Sequence, residues 1–415
     1  MPVQNSVPFY RPDIGAAEID EVVAAIRSGW LTTGPRTKRF EQEFAAAVGA
    51  SHAVAVNSCT AALHLGVLAL GLKSGQGVLV PSLTFAATAE VVRYEGGIPI
   101  LIDSDPATLA MDLQHAEHTI DRLQSGRTVA RLPAGLAVVG MIPVHVGGLM
   151  MNVDDIKLFA ARRGLWVVED AAHAFPAAWR SSSEHAWQRC GQGTAAVSCF
   201  SFYANKTITT GEGGMAVTED AGLAARMRLL SLHGLSHDAW GRYSANGSWD
   251  YRILTHGYKY NLTDIAAAIG VHQLTQAETM RRTRECIAEE YCERLGGLDE
   301  IELPVRDSNR IHSWHLFPIR LRLGQLTINR DQFIQELNAA GIACSVHWRP
   351  LHLHPYYEET FGWTVNDLPS ASQEWLRLVS LPLFSAMSSE EIDGVVNAVT
   401  MVCRRARHQP LATIR

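Results

Sequence analysis

No Cys-X-X-Cys pair occurs anywhere in the 415 residues, and the seven cysteines (59, 190, 199, 286, 292, 344 and 403) are dispersed and odd in number. That speaks against a disulfide framework or a zinc ribbon and reads as reduced thiols in a cytoplasmic protein. No uninterrupted apolar run approaches the ~20 residues that span a bilayer, so no membrane partner is expected. The opening Met1-Pro-Val-Gln-Asn-Ser6 lacks the basic and apolar regions of a signal peptide. Blocks of one charge sign are missing too. The 36 basic and 42 acidic side chains are scattered, with a net charge of −6, which argues against a nucleic-acid surface. The 17 histidines invite a metal, but His312/His315 and His352/His354 have no fixed carboxylate partner nearby in sequence, and no metal is expected. There is no solenoid period.

What the chain does have is length and regular alternation. With 47% apolar residues it can bury a large core and two domains. Strands are expected at 53–56, 77–80, 99–102, 136–142 and 166–169. Helices are expected at 14–28, 40–48, 61–70, 86–94, 153–163 and 221–230. Strands alternating with helices imply an α/β fold, a mainly parallel sheet with helices on both faces. A long helix over 265–295 then bridges to a smaller α+β unit. That unit reads as strand 316–321, helix 331–339, strand 344–347 and helix 390–404. The expected division is a large domain over 1–262 and a bridging helix with a small domain over 263–415. The stretch 233–255 reads as a long ordered loop, and the basic run from 404 to the end as a frayed tail.

The chemistry gathers around Phe200-Ser-Phe-Tyr-Ala-Asn-Lys-Thr-Ile-Thr-Thr-Gly-Glu-Gly-Gly-Met215. An apolar strand runs into Ser201 and a turn carrying Lys206, then glycines and a second short strand. Such a lysine is either a solvated loop residue or a buried amine able to form a Schiff base with a carbonyl compound. A second stretch favours the buried amine. Leu165-Trp-Val-Val-Glu-Asp-Ala-Ala-His173 reads as a buried parallel strand ending in Glu169 and Asp170, and ligands of open α/β sheets sit beyond such strand ends. Pyridoxal phosphate needs a carboxylate on its ring nitrogen and a lysine on its aldehyde carbon, and Asp170 and Lys206 are such a pair. Its phosphate needs an anion site. Val54 to Leu65 reads as strand, polar turn and helix start, which places Ser58, Cys59 and Thr60 where helix N–H groups point outward. Ordinary N-capping by Asn57 or Ser58 would give the same pattern.

The motifs Gly29-Trp-Leu-Thr-Thr-Gly-Pro35, Asn57-Ser-Cys-Thr-Ala-Ala-Leu63, Pro81-Ser-Leu-Thr-Phe85, Pro143-Val-His145, Glu169-Asp-Ala-Ala-His173 and Thr209-Thr-Gly-Glu-Gly-Gly214 together resemble those of the DegT/StrS family. These are sugar aminotransferases of the fold-type I pyridoxal phosphate class. The resemblance runs from about residue 8 to about residue 400. It implies a large domain with a mainly parallel seven-stranded sheet between helices, pyridoxal 5'-phosphate as cofactor, and a homodimer with shared active sites. His256-Gly-Tyr-Lys-Tyr-Asn-Leu-Thr-Asp-Ile265 and His312-Ser-Trp-His-Leu-Phe317 look like the branch that makes UDP-4-amino-4-deoxy-L-arabinose from the 4-keto sugar.

The resemblance assigns roles residue by residue. Phe85 would stack on the cofactor ring, with Ala172 on the opposite face, although a core phenylalanine opening a helix reads the same. His173 would either meet the ring's 3-oxygen region or satisfy a backbone carbonyl. Ser201 joins the cofactor set. Asn261 would reach the partner subunit's cofactor phosphate; in many relatives that asparagine falls two positions earlier, where Lys259 stands here. Thr32, Thr33, His145, Lys259, His347, Arg349 and Tyr356 are the substrate-pocket candidates. The polar stretch 180–193 departs from the short turn of relatives. A dehydratase of the same fold is disfavoured because those enzymes replace the lysine by histidine, and Lys206 is present. A non-catalytic regulator need not keep Asp170, Lys206 and the phosphate turn together. An aminotransferase remains, acting on a nucleotide-linked keto sugar with an amino donor such as L-glutamate, or on a cyclitol or other small ketone.

Overall fold

The computed structural model describes residues 6–236 and 251–408. The middle of the long loop expected at 233–255 and the end of the basic tail lie outside the described residues. The large sheet has seven strands in the order β1-β9-β8-β5-β4-β2-β3. They are drawn from β1 (His52–Val56), β2 (Gly77–Pro81), β3 (Ile98–Ile102), β4 (Val138–Met141), β5 (Trp166–Asp170), β8 (Val197–Ser201) and β9 (Gly214–Thr218). Two short strands, β6 (Ala178–Trp179) and β7 (Gln188–Arg189), fall between β5 and β8 in the chain. Only β9 is antiparallel to its neighbours β1 and β8. The carboxyl ends of the other six strands therefore share one edge, and Gly214, which opens β9, lies on that edge too.

Strands β2 and β3 read Gly-Val-Leu-Val-Pro and Ile-Pro-Ile-Leu-Ile and are almost wholly buried, as a parallel sheet covered on both faces requires. The covering helices start and stop where their sequence says. Helix α1 (Ala16–Arg27) is followed by α2 (Pro35–Val48), which has proline in its first turn and ends at Gly49 in the left-handed conformation, φ 72°. Helix α3 (Cys59–Ala69) is capped by Ser58, whose hydroxyl accepts from the Ala61 N–H. Then come α4 (Ala87–Tyr94), α5 (Leu113–Gln124), α6 (Val153–Arg163) and α7 (Ala221–Ser231). Helix α5 is an addition to the expected set. Asp112 caps it through the Gln114 and His115 N–H groups, and Ala116, Ile120 and Leu123 form its buried stripe.

Helix α8 (Asp264–Leu295) is a single run of 32 residues, as its sequence predicts. Beyond it, β10 (Ile301–Glu302), β12 (Phe317–Leu321) and β13 (Leu378–Leu381) make a three-stranded antiparallel sheet. It packs with α9 (Arg330–Ala339) and, after the short helices α10 (Pro355–Phe361) and α11 (Pro369–Arg377), α12 (Ser389–Ala406). The strand expected at 344–347 is not one. It makes a single bridge, Ser345 to Ser380, because His347 and Trp348 then turn toward the large domain and line a cavity there. The third strand of this sheet is β13 instead. Among the described residues the large sheet carries separate buried clusters and the small sheet another, and segments are exchanged: Val7 belongs to the cluster of the small sheet, and Leu351, Phe361 and Trp363 to the largest of the others.

The polar stretch 180–193 is partly ordered as sheet. Strand β6 pairs with both β7 and β11 (Arg310–Ile311). The Arg180 guanidinium lies 4.4 Å from the Trp187 ring centre, a cation–π contact that closes the excursion on itself.

Candidate active site

A cavity of about 450 Å³ opens at the shared edge of the strand ends. Ser58, Cys59, Thr60, Phe85, Asp170, Ala172, His173, Ser201, Lys206 and His347 all line it. The fold explains why they meet. Asp170 is the last residue of β5 and pairs in register with Cys199 of β8. Lys206 follows β8 after a tight turn in which its N–H bonds the Tyr203 carbonyl. Ser58 to Thr60 form the joint between β1 and α3. A side chain at Gly214 would put its Cβ 2.5 Å from the Ser58 carbonyl and 2.6 Å from the Cys59 nitrogen. Glycine there lets β9 lie directly against the amino end of α3.

Asp170 is 5% exposed. Its carboxylate accepts from the Thr88 hydroxyl (2.8 Å) and the Ala172 N–H (3.2 Å). Burial raises its pKa, opposed by those donors and by the charge of Lys206. A buried carboxylate with its pKa pushed upward is suited to a cationic N–H partner. Lys206 is pulled down to about 8, first by burial and then by the positive charge of Arg284, against the attraction of Cys59 and Asp170. About a tenth of it is therefore neutral amine at pH 7, against less than about a thousandth for an ordinary lysine. Phe85 is 62% exposed, with a free ring face in the cavity mouth rather than in the core. His173 meets a backbone N–H rather than the carbonyl expected: its Nδ1 accepts from the Gly147 N–H (3.3 Å), and its ring stacks on Trp348. An amino-terminal helix end, a carboxylate, an amine and an aromatic face in one cavity fit the phosphate, ring nitrogen, aldehyde carbon and ring plane of pyridoxal phosphate.

Other expected residues stand elsewhere. His145 is fully buried and cannot touch a substrate. Its Nδ1 accepts from the Met151 N–H, and its Nε2 lies 3.5 Å from Glu169. Glu169 is buried behind Asp170 and accepts from Thr194 and Ser198 hydroxyls, each at 2.6 Å. Burial alone would raise the Glu169 pKa, but His145 and the two hydroxyls outweigh it and hold the group low. Arg349 and Tyr356 also stand outside the cavity. Arg349 bonds the Leu353 carbonyl beside the Trp375 ring, and the Tyr356 hydroxyl accepts from Arg93. Thr33, Lys259 and Asn261 form a separate polar chain: Lys259 Nζ donates to Asn261 Oδ1 (2.6 Å), and Asn261 Nδ2 donates to Thr33 Oγ1 (2.7 Å). Neither they nor Thr32 line the cavity of their own subunit.

The structure adds residues that the sequence reading gave no site role. Thr88 holds Asp170, and Tyr203, Asn205, Glu212, His315 and Trp348 line the cavity. Thr88 follows Phe85 by three positions at a helix start, a spacing that turns both toward one edge. His315 closes the motif His312-Ser-Trp-His315, which carried the resemblance without an assigned role.

Comparison with known proteins agrees with this geometry. The sequence profile of the DegT/DnrJ/EryC1/StrS aminotransferase family matches residues 12–400. The chain belongs to that family. The spore coat polysaccharide biosynthesis protein SpsC of Bacillus subtilis is 40% identical over 402 residues, covering 96% of this chain and 98% of its own. Among solved structures, Spr1654 of Streptococcus pneumoniae in its PMP form is 30% identical with a TM-score of 0.85, covering 96% of this chain and 99% of that one. DesV of S. venezuelae is also 30% identical, with a TM-score of 0.81, covering 95% and 100%. The aminotransferase fold is thus present over nearly the whole chain. The seven-stranded sheet is the fold-type I arrangement that the resemblance implied.

Proposed function

We propose that this aminotransferase uses pyridoxal 5'-phosphate to move an amino group from an amino acid, with L-glutamate as donor, to C4 of a nucleotide-linked keto sugar. The observation that carries the reading is the meeting of Lys206, Asp170 and the amino end of α3 in one cavity. Pyridoxal phosphate, when bound, supplies a carbonyl for amine exchange and a ring that takes up carbanion charge. The chain's own residues supply the rest. The N–H groups at Cys59 and Thr60, with the Ser58 turn, bind the phosphate. Asp170 keeps a proton on the ring nitrogen. Phe85 covers one ring face and Ala172 leaves room at the other. Lys206 Nζ would carry a proton from the donor's α-carbon to the cofactor's aldehyde carbon in the first half-reaction, and from that carbon to the sugar in the second, a ping-pong order.

The reading extends to a cytoplasmic homodimer, with the domain division at 262. Thr33, Lys259 and Asn261 bond one another outside the cavity of their own subunit, which supports a role in the partner's site. SpsC is named for polysaccharide biosynthesis, and Spr1654 has been solved in both PLP and PMP forms, which supports sugar chemistry with this cofactor. Thr32 and His347 remain as sugar contacts, with Lys259 drawing on a diphosphate.

The test loads the protein with pyridoxamine phosphate and offers a panel of UDP- and dTDP-linked 3-keto and 4-keto sugars, beginning with the UDP-linked 4-keto pentose. Return of the visible absorption of lysine-bound cofactor identifies the acceptor. If only free 2-oxo acids restore it, the sugar reading fails and an amino-acid or cyclitol aminotransferase replaces it.

A further inference from the structure

His315, like His347 and Trp348, reaches the cavity from the part of the chain beyond α8. It sits at the joint between β11 and β12, on the approach to the small sheet, and is 5% exposed. Its Nε2 lies 3.3 Å from Lys206 Nζ. Its ring packs on that of His173, with centroids 4.1 Å apart.

We infer that His315 is a positioning residue for the Lys206 amine, accepting one of its N–H groups and fixing where the amine stands in the cavity. This rests on the role of Lys206 proposed above.

The chemistry of the pair leaves one arrangement. A charged lysine has only donors, so the imidazole nitrogen facing it must accept, and the ring proton resides on Nδ1. A second positive charge is excluded, because burial and the neighbouring lysine both hold His315 well below its ordinary pKa. Among the described residues Nδ1 has no hydrogen-bond partner, so none of them draws the ring away from Lys206. A small cavity of about 10 Å³ adjoins the pair, lined by Lys206, Ser201 and His315, with room for about one water.

The backbone that carries the ring is clamped. Ser313 N–H donates to the Gly148 carbonyl and Leu316 N–H to the Gly147 carbonyl, each at 3.2 Å. Ser313 Oγ donates to the His173 carbonyl at 2.5 Å. Gly148 has φ 101°, and a Cβ there would lie 1.8 Å from Ser313 Oγ, so glycine is what permits this approach. A ring that served only as filler would need neither the acceptor facing the amine nor this clamp.

The groups facing Lys206 are Asp170 from β5, Cys59 from α3, Arg284 from α8, and the neutral rings of His173, His315 and His347. Only His315 changes in the test, so the other contributions cancel between variants. The cofactor-free full-length chain is labelled with acetic anhydride across a pH series, and the fraction modified at Lys206 is read by mass spectrometry. The wild-type midpoint is expected near about 8. His315→Phe keeps a ring and removes the acceptor. The ammonium form loses a charge-assisted hydrogen bond, so the midpoint falls by roughly one pH unit. His315→Gln keeps an acceptor and restores most of the shift. If His315→Phe fails to fold by circular dichroism, His315→Met against His315→Gln makes the same comparison. An unchanged midpoint in the acceptor-free variant, or equal shifts with and without the acceptor, overturns the inference. Failure of the underlying reading looks different: borohydride would fix pyridoxal phosphate on a lysine other than Lys206, whatever the midpoints.

Discussion

Two polar clusters flank the same strand edge, and they differ in where their groups point. Around Asp170 and Lys206 the groups line one cavity, with Asp170 buried and Lys206 half-buried. Around Thr33, Lys259 and Asn261 the polar groups bond one another outside that cavity, although Asn57 N–H donates to the Tyr260 carbonyl and ties the segment to the strand that leads into α3. The first cluster holds within one chain the residues proposed to handle the proton and the ring nitrogen, Lys206 and Asp170. The second has its functional groups beside the site but none in it, which is what a contribution to a neighbouring copy requires. Proximity in the fold therefore separates from participation in the site.

The largest expected effect tests the first cluster. Lys206→Ala should cut turnover by at least the ~10²–10⁴-fold that a positioned base supplies, and should abolish borohydride-stable labelling at position 206. Peptide mapping and steady-state rates check both, and retention of label on another lysine would break the assignment. Asp170→Ala should come next. The protein should stay folded while the glutamate half-reaction slows by roughly 10²-fold or more, since a ring without its proton is a poor electron sink. Stopped-flow rates near wild type would remove Asp170 from its role.

The second cluster is tested by mixing. Lys206→Ala and Asn261→Ala chains, each inactive alone, should regain activity on subunit exchange, because each hybrid dimer holds one intact site. Random exchange predicts about a quarter of wild-type activity. No recovery, with exchange shown by mass, would make the two clusters independent. The pH dependence sharpens the contrast further. Cofactor capture by Lys206 needs the neutral amine, whose pKa lies at about 8. The capture rate should rise with pH and level off above that value, whereas a solvated lysine would keep rising toward its ordinary range near 10.4. The smallest effect belongs to Thr33→Val. It removes the hydroxyl between the Leu262 carbonyl and Asn261, and should lower stability by about 1 kcal/mol in denaturant melts.

Much of this was legible in the sequence for physical reasons. Strands such as 77–81 and 98–102 are continuous apolar runs, which a buried parallel sheet demands. Asp170 and Lys206 stand at strand ends, where such sheets bind ligands. Less legible were residues brought in by long connections. His315 and Trp348 arrive from the small sheet, and nothing local says that they turn inward. Strand β13 was missed for a related reason. Its Leu-Val-Ser-Leu is short, and only its pairing with β12 distinguishes it from the end of a helix. His145 illustrates the reverse error: a motif histidine beside a site can be committed to the layer beneath it.

The buried carboxylate of Asp264, at the first turn of α8, also organises a different helix. It accepts from the Gly34 and Thr37 N–H groups (2.7 and 3.0 Å), from Arg36 N–H (3.1 Å), and from the Thr37 hydroxyl (2.8 Å). One side chain thus caps α2 from a position 227 residues away from Thr37. Gly34 admits it, since a Cβ there would sit 2.9 Å from the carboxylate and 2.1 Å from the Trp30 ring nitrogen. For protein engineering this makes residues 30–37 and 259–264 a single transplantable cassette. Exchanging 30–37 alone with a relative can strand the Asp264 charge in the interior, and exchanging 259–264 alone can strand the Gly34, Arg36 and Thr37 donors. Exchanging both together carries the lock along with its key.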